Sequence, residues 1–150
     1  MEIGERARCD WHRFGDFSGA RLYEMLRFRQ AIFVVEQSCA FPDLDGLDER
    51  AQHLLATIDD TLVGYLRLIP FPGEARVAIG RVAVIARCRR RGLARRLMAE
   101  ALARSSRDYP DHTVTLTAQT FLVAFYETLG FRPISAPFDD YGIAHVEMAR

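Results

Sequence analysis

The stretch Arg89-Arg90-Arg91-Gly92-Leu93-Ala94 points most directly to chemistry in this chain. Apolar residues from Ile79 to Ile85 read as a strand before it. Leu93, Leu97, Met98, Ala101 and Leu102 read as a helical stripe after it. A basic, glycine-containing turn therefore joins a strand end to a helix start. The first N–H groups of a helix lack internal acceptors and carry partial positive charge. Such a turn suits a phosphate or pyrophosphate. Gly92 lets the backbone approach the anion, and the arginines add charge and planar donors. A solvated helix entry or a nucleic-acid patch are the rival readings. A formal net charge of zero argues against nucleic acid as the partner.

All 20 Lys and Arg positions are arginine. Chemistry that needs an internal lysine, such as a Schiff base or a P-loop, is excluded. Cys9, Cys39 and Cys88 are odd in number and far apart, which argues against a disulfide framework or a zinc site; no metal is expected. The start of the chain does not read as a signal peptide, and no apolar run is long enough for a membrane span. A single domain over residues 1–150, located in the cytoplasm and without membrane partners, is the expectation.

The elements that must position the turn follow from pattern. Residues from Cys9 to Phe14 read as a first strand, and Gly19 to Glu36 as a helix capped by Ser18. An Asp-rich loop spans Gln37 to Arg50. His53 to Ile58 and Leu62 to Ile69 form a hairpin pattern around Asp59-Asp60-Thr61, without the usual Asn-Gly pair. Val77 to Ile85 leads into the arginine turn and its helix, which fades near Asp108. Val114 to Ala118 is a strand, and Phe121 to Leu129 a short helix ended by Gly130. Phe131 to Ser135 and Ile143 to Met148 are strands, with a loop between them that holds Asp139, Asp140 and Gly142. The order β-α-β-β-β-α-β-α-β-β implies parallel pairing in the middle of a mixed α/β sheet. Ligands of open α/β sheets favour the carboxyl ends of strands, where the arginine turn lies.

With Arg89, Gly92 and Ala94 in the pattern Arg/Gln-x-x-Gly-x-Gly/Ala, five residues past Val84, the chain resembles the GNAT superfamily of acyl-CoA-dependent N-acetyltransferases. A second block agrees: Gln119, then Phe125-Tyr126-Glu127 and Leu129-Gly130-Phe131. Gln119 stands where the family usually has Asn, and Leu122 where it often has Ala. Phe33-Val34-Val35-Glu36-Gln37, Ile79-Gly80-Arg81-Val82 and Gly142-Ile143-Ala144-His145 resemble the ElaA-type branch. The resemblance spans nearly the whole chain. It implies a sheet of about six to seven strands, its middle parallel strands splayed, flanked by helices. It implies acetyl-CoA as co-substrate, with its pyrophosphate on Arg89, Arg90, Arg91, Gly92, Leu93, Ala94 and Arg95. The pantetheine arm would lie along Val82, Ala83 and Val84 as an added strand, with the Gln119 amide beside it.

The implied reaction is direct attack of a primary amine on the thioester in a ternary complex. Tyr126 takes the role of general acid, although on its own an aromatic among Phe121, Leu122, Phe125 and Leu129 reads as core packing. Glu36 and His145 are the candidates for the base. Asp43, Asp45, Asp48 and Glu49 form either an acidic rim for a cationic amine or a solvated turn. His53 has no readable role, and Cys88 between two arginines would be reactive if exposed. The acceptor amine, small molecule or peptide, is open, as is a homodimer through the last strand. A non-catalytic acyl-CoA-binding domain on the same fold is the alternative function.

Overall fold

Short runs rich in apolar and β-branched residues form strands, and these pair into one sheet. The computed structural model describes residues 2–150. In chain order the elements are α1 (Ile3–Arg6), β1 (Arg8–Arg13), α2 (Gly19–Gln30), β2 (Gln52–Ile58), β3 (Thr61–Phe71), β4 (Arg76–Val84), α3 (Leu93–Asp108), β5 (Thr113–Gln119), α4 (Val123–Glu127), β6 (Arg132–Pro133), β7 (Phe138–Asp140) and β8 (Ile143–Ala149). The sheet has eight strands in the order β1-β2-β3-β4-β5-β8-β6, with β7 also paired to β8. Strands β1 to β4 form an antiparallel meander, and β4 pairs with β5 in parallel. The expected mixed sheet with a parallel centre is therefore present.

Several boundaries differ from expectation. The β2–β3 turn has Asp59 and Asp60 both at positive φ (49° and 61°), so two aspartates adopt the type I′ geometry usually given to Asn-Gly. The helix expected over 121–129 is a 3₁₀ turn, Thr120–Leu122, followed by the five residues of α4. The strand expected over 131–135 shrinks to β6, where Pro133 has no N–H for a ladder. The loop around Asp139 and Asp140 contains β7, joined to β8 by a tight turn with Tyr141 and Gly142 at φ 51° and 83°. The short α1 had no periodicity long enough to read.

One face of the sheet packs under α3: Leu93, Leu97, Met98 and Ala101 join a buried cluster with Leu54, Val63, Leu116 and Met148. The other face packs under α2 through Met25, Leu55 and Tyr65. Ser18 caps α2, accepting the Arg21 N–H at 3.1 Å. The helix does not run unchanged to Glu36. Residues Ala31–Glu36 are π-helical, with the Gln37 N–H donating to Ile32 O (3.2 Å) and the Cys39 N–H to Val34 O (3.1 Å).

The feature that shapes the site is a split in the sheet. Pairing of β4 with β5 covers only Arg76↔Thr113 to Ala78↔Thr115. Beyond Ala78 the strands part. On the other side of β4, Tyr65 faces Ala83 while Arg67 faces Gly80, so β4 carries an extra residue. Arg81 sits in that bulge at φ 52°, a left-handed conformation that non-glycine residues seldom adopt.

A buried ionic network holds the bulge. Arg29, fully buried, bonds Asp43 (3.2 Å) and Asp48 (2.7 Å). Arg67 bonds Asp45 (2.5 Å) and Asp48 (2.9 Å). Arg81 bonds Asp43 (2.7 Å) and Asp45 (3.3 Å) and lies over the Phe41 ring. Three arginines meet three aspartates, so the charges balance. Arg67 Nε alone in this set is buried without a hydrogen-bond partner, facing Gly80. His53 supports the network from below, donating from Nε2 to Asp48 O (2.9 Å) and accepting from the Tyr65 hydroxyl at Nδ1 (2.6 Å). Burial lowers the His53 pKa, so the ring is neutral and structural.

Burial works against ionisation of Asp45 and Asp48, but hydrogen bonds and charge from Arg67, Arg29 and Arg81 prevail; Asp45 is lowered to about 2 and Asp48 is lowered too. Both carboxylates thus titrate lower in the folded chain than in the unfolded one. Their stabilisation is complete above the unfolded value of about 4 and is lost as pH falls toward 2. Urea unfolding should show stability falling across that window, more shallowly in Asp45→Asn. At pH 7, Asp48→Ala should cost about 3–5 kcal/mol, because two buried guanidinium groups each lose one of two carboxylate partners and the network is left with net positive charge. A loss under about 1 kcal/mol would mean that the network does not hold the fold.

Candidate active site

The split opens a cleft of three adjoining cavities. A groove of about 630 Å³ is lined by Val82, Ala83 and Val84, by the arginine turn, and by Phe125 and Tyr126. A second cavity of about 460 Å³ lies between β4, β5 and the π-helical segment. A third, of about 250 Å³, continues beyond it past Thr117 and Glu147. Val82, Ala83, Val84 and Tyr126 border both the groove and the second cavity.

At the groove's outer end the chain turns sharply. Arg90 (φ 59°) and Gly92 (φ 84°) are both left-handed, which curls successive N–H groups toward one side. The Arg96 N–H makes the first helical bond, to Gly92 O (3.0 Å). The N–H groups of Leu93, Ala94 and Arg95 before it have no intrahelical acceptor. The conformation suits glycine, and a β-carbon at Gly92 would also come within 2.7 Å of the Glu2 carboxylate. The start of the chain buttresses the turn: the Gly4 N–H donates to Arg91 O (3.2 Å) and Arg96 donates to Gly4 O (3.2 Å). The Arg90, Arg91 and Arg95 side chains are exposed around it.

Arg89 differs from its expected role. Its Nε donates to Val84 O (2.8 Å) and its Nη2 to Glu36 Oε2 (2.5 Å), so the guanidinium turns into the cleft instead of toward the turn. The same bond engages Glu36, the first base candidate, in an ion pair. Tyr126 is 7 % exposed and meets Phe125 and Phe131 edge to face. Burial pushes its hydroxyl up to about 12, so it is protonated at neutral pH.

Gln119 and His145 face each other across the β5–β8 ladder, and both line the second cavity. The Gln119 amide is 3.4 Å from Gln37, just past the π-helical segment. His145 Nδ1 is 2.8 Å from Ile143 O. A carbonyl only accepts, so this contact places the ring proton on Nδ1 and leaves Nε2 with a lone pair.

The acidic-rim expectation is corrected. Asp43 and Asp48 are buried, and Asp45, at the exposed edge, is paired with Arg67 and Arg81, so none of the three offers a free charge to a ligand and they are no solvated turn either. Only Glu49 of that set is exposed and outside the network. Cys88 is buried, which removes the condition for reactivity, and Cys39 is buried in the wall of the second cavity. Among the described residues no His, Cys, Asp or Glu group is arranged to hold a metal. Sequence reasoning also missed Asp140, which lines the second and third cavities from the β7–β8 hairpin. The visible signal was a turn pair, Tyr141-Gly142, between alternating residues.

The family model described as acetyltransferase (GNAT) domain matches residues 33–150. The chain belongs to this GNAT family. A UPF0039 protein of Synechocystis is 41% identical over 140 residues, covering 92% of this chain and 91% of that one. The protein ElaA of Escherichia coli is 37% identical over 138 residues, covering 90% of each. Among solved structures, an acyl-CoA N-acyltransferase from Pseudomonas aeruginosa superposes with a TM-score of 0.90 at 36% identity, over 96% of this chain and 99% of that one. The crystal structure of Escherichia coli ElaA superposes equally well, at 34% identity with the same coverage. This chain shares the GNAT acyltransferase fold and the ElaA-like sequence.

The His145 geometry can be checked directly. Nitrogen-15 NMR of the neutral ring should show the proton on Nδ1; a proton on Nε2 would leave that nitrogen unable to accept another.

Proposed function

We propose that the chain is an acyl-CoA-dependent N-acyltransferase, with acetyl-CoA as donor and a primary amine as acceptor. The observation that carries this reading is the parted β4 edge, which leads at one end into the Gly92 turn and at the other to Tyr126. The residues present suit the donor. The β4 backbone from Val82 to Val84 lacks a β5 partner on the cleft side, so an extended pantetheine arm fits as an added strand. The exposed N–H groups after Gly92 suit a pyrophosphate, with Arg90, Arg91 and Arg95 around it. Arg89 contributes by tying Val84 to Glu36 and so fixing the wall between groove and cavity.

The donor supplies an acetyl thioester, and the protein's residues govern the protons. An alkylamine with a pKa of about 10.4 is about 3.4 units above neutrality, so presenting its lone pair costs about 4.6 kcal/mol at pH 7. Nε2 of His145 accepts that proton, directly or through water, which favours it over the ion-paired Glu36. The nitrogen lone pair forms the C–N bond as the C–S bond breaks. Backbone N–H near Val84 polarises the carbonyl. The Tyr126 hydroxyl gives its proton to the departing thiolate, and the phenolate recovers one, through water, from the nitrogen as it becomes the amide. The Gln119 amide holds the cofactor side of the cleft. The whole of residues 1–150 serves as one catalytic domain.

Calorimetry should detect CoA binding to the wild type and none to Gly92→Asp, which places a carboxylate against both the anion and Glu2. Undiminished affinity in that variant would overturn the donor site. Tyr126→Phe should lower acetyl-CoA-dependent thiol release by about 10²-fold or more while CoA affinity stays within twofold. Equal turnover would remove Tyr126 from the chemistry. CoA binding without thiol release from any amine would favour a binding domain over an enzyme.

A further inference from the structure

We infer that the acceptor is a dication, a primary amine carrying a second protonated amine, and that Asp140 and Glu147 select it. This deepens the acyltransferase reading and rests on it for the position of the reacting amine.

The arginines on the walls of the cleft's second and third cavities are neutralised by the protein. Arg89 pairs with Glu36, Arg67 and Arg81 belong to the balanced network, and Arg76 pairs with Glu74 and lies over Phe71. Two wall carboxylates remain without a cationic partner among the described residues. Asp140 makes no side-chain hydrogen bond in the structure, and Glu147 accepts only from the Thr117 hydroxyl (2.7 Å). The cleft beyond Tyr126 therefore carries net negative charge at neutral pH.

The two acids also lie in the right sequence. Tyr126 borders the groove and the second cavity, Asp140 the second and third, and Glu147 the third alone. In the ladder Asp140 faces Ile143, and Glu147 faces Thr117 while His145 faces Gln119. His145 and Glu147 are two residues apart on one strand and so share a face, separated by about 7 Å. An amine positioned for Nε2 of His145 thus has a carboxylate further along the same wall. A carboxylate next to the reacting nitrogen would hold it protonated and oppose attack. A carboxylate one short carbon chain away binds a second ammonium without that penalty. Tyr141, exposed at the lip beside Phe41, offers an aromatic surface to the methylenes between. A short aliphatic diamine, or the end of a longer polyamine, has this chemistry.

The test titrates three amines of matched length into the CoA-saturated protein by calorimetry: 1,4-diaminobutane, butylamine and 4-aminobutanoate. The diamine should bind at least tenfold more tightly than either of the others. Asp140→Asn and Glu147→Gln should each erase most of that preference while CoA affinity is unchanged, which also reports an intact fold. Equal affinities for the three amines, or a preference retained in both variants, would overturn the inference. Thiol release measured in parallel separates the two readings. Preferential diamine binding without transfer would overturn the enzymatic reading and leave the charge selection standing; transfer to all three amines alike would do the reverse.

Discussion

The balanced set of Arg29, Arg67 and Arg81 with Asp43, Asp45 and Asp48 is the constraint on which the cleft depends. Each arginine comes from a different element: α2, β3 and the β4 bulge. All three aspartates come from one loop. The loop therefore acts as a clasp that fixes a helix against two strands. Without it, Arg81 would have no reason to hold a left-handed backbone, and β4 no reason to keep its extra residue. The bulge accompanies the parting of β4 from β5, and the parting makes the cleft. An ionic cluster that reaches the cleft wall through Arg67 and Arg81 thus helps to set the width of the cleft.

The split also explains a division of chemistry between the two faces of β5 and β8. Leu116, Ala118, Val146 and Met148 point into the core under α3. Thr117, Gln119, His145 and Glu147 occupy the alternating positions and line the cleft. Period-two alternation lets one pair of strands supply both packing and a polar wall. Tyr126 belongs to both categories, closing the core against Phe131 while bordering the two cavities. Its burial keeps the phenol protonated, so the packing that reads as structural also suits it to the donor role proposed for it.

Much of this was legible in the sequence because local rules sufficed. The arginine turn, the hairpin, the Ser18 cap and the strand order follow from glycine, cap chemistry and periodicity. The role of the Asp-rich loop did not, since its partners lie 14 to 38 residues away. Two hints were present: Arg29 stands on the apolar stripe of a helix, and Arg67 interrupts an apolar strand. A buried cation needs counter-charge, and the loop was the nearest supply. The turn of Arg89 toward Glu36 was not readable, because two exposed long side chains can meet in many ways. The β7–β8 hairpin was hidden by its length, three residues being too few for an alternation to register.

The π-helical segment Ala31–Glu36 gives the cleft a sensitivity to length that ordinary helices lack. A π turn accommodates one residue more than an α turn, so this stretch has an insertion folded into it. Deleting a single residue there would let the α-helix run straight through. Each residue of an α-helix turns the chain by about 100°. Glu36 and Gln37 would swing off the cavity wall, and Arg89 and Gln119 would lose the side chains they touch. A change in residue number, with no change of residue type, would then redraw the boundary of the cleft.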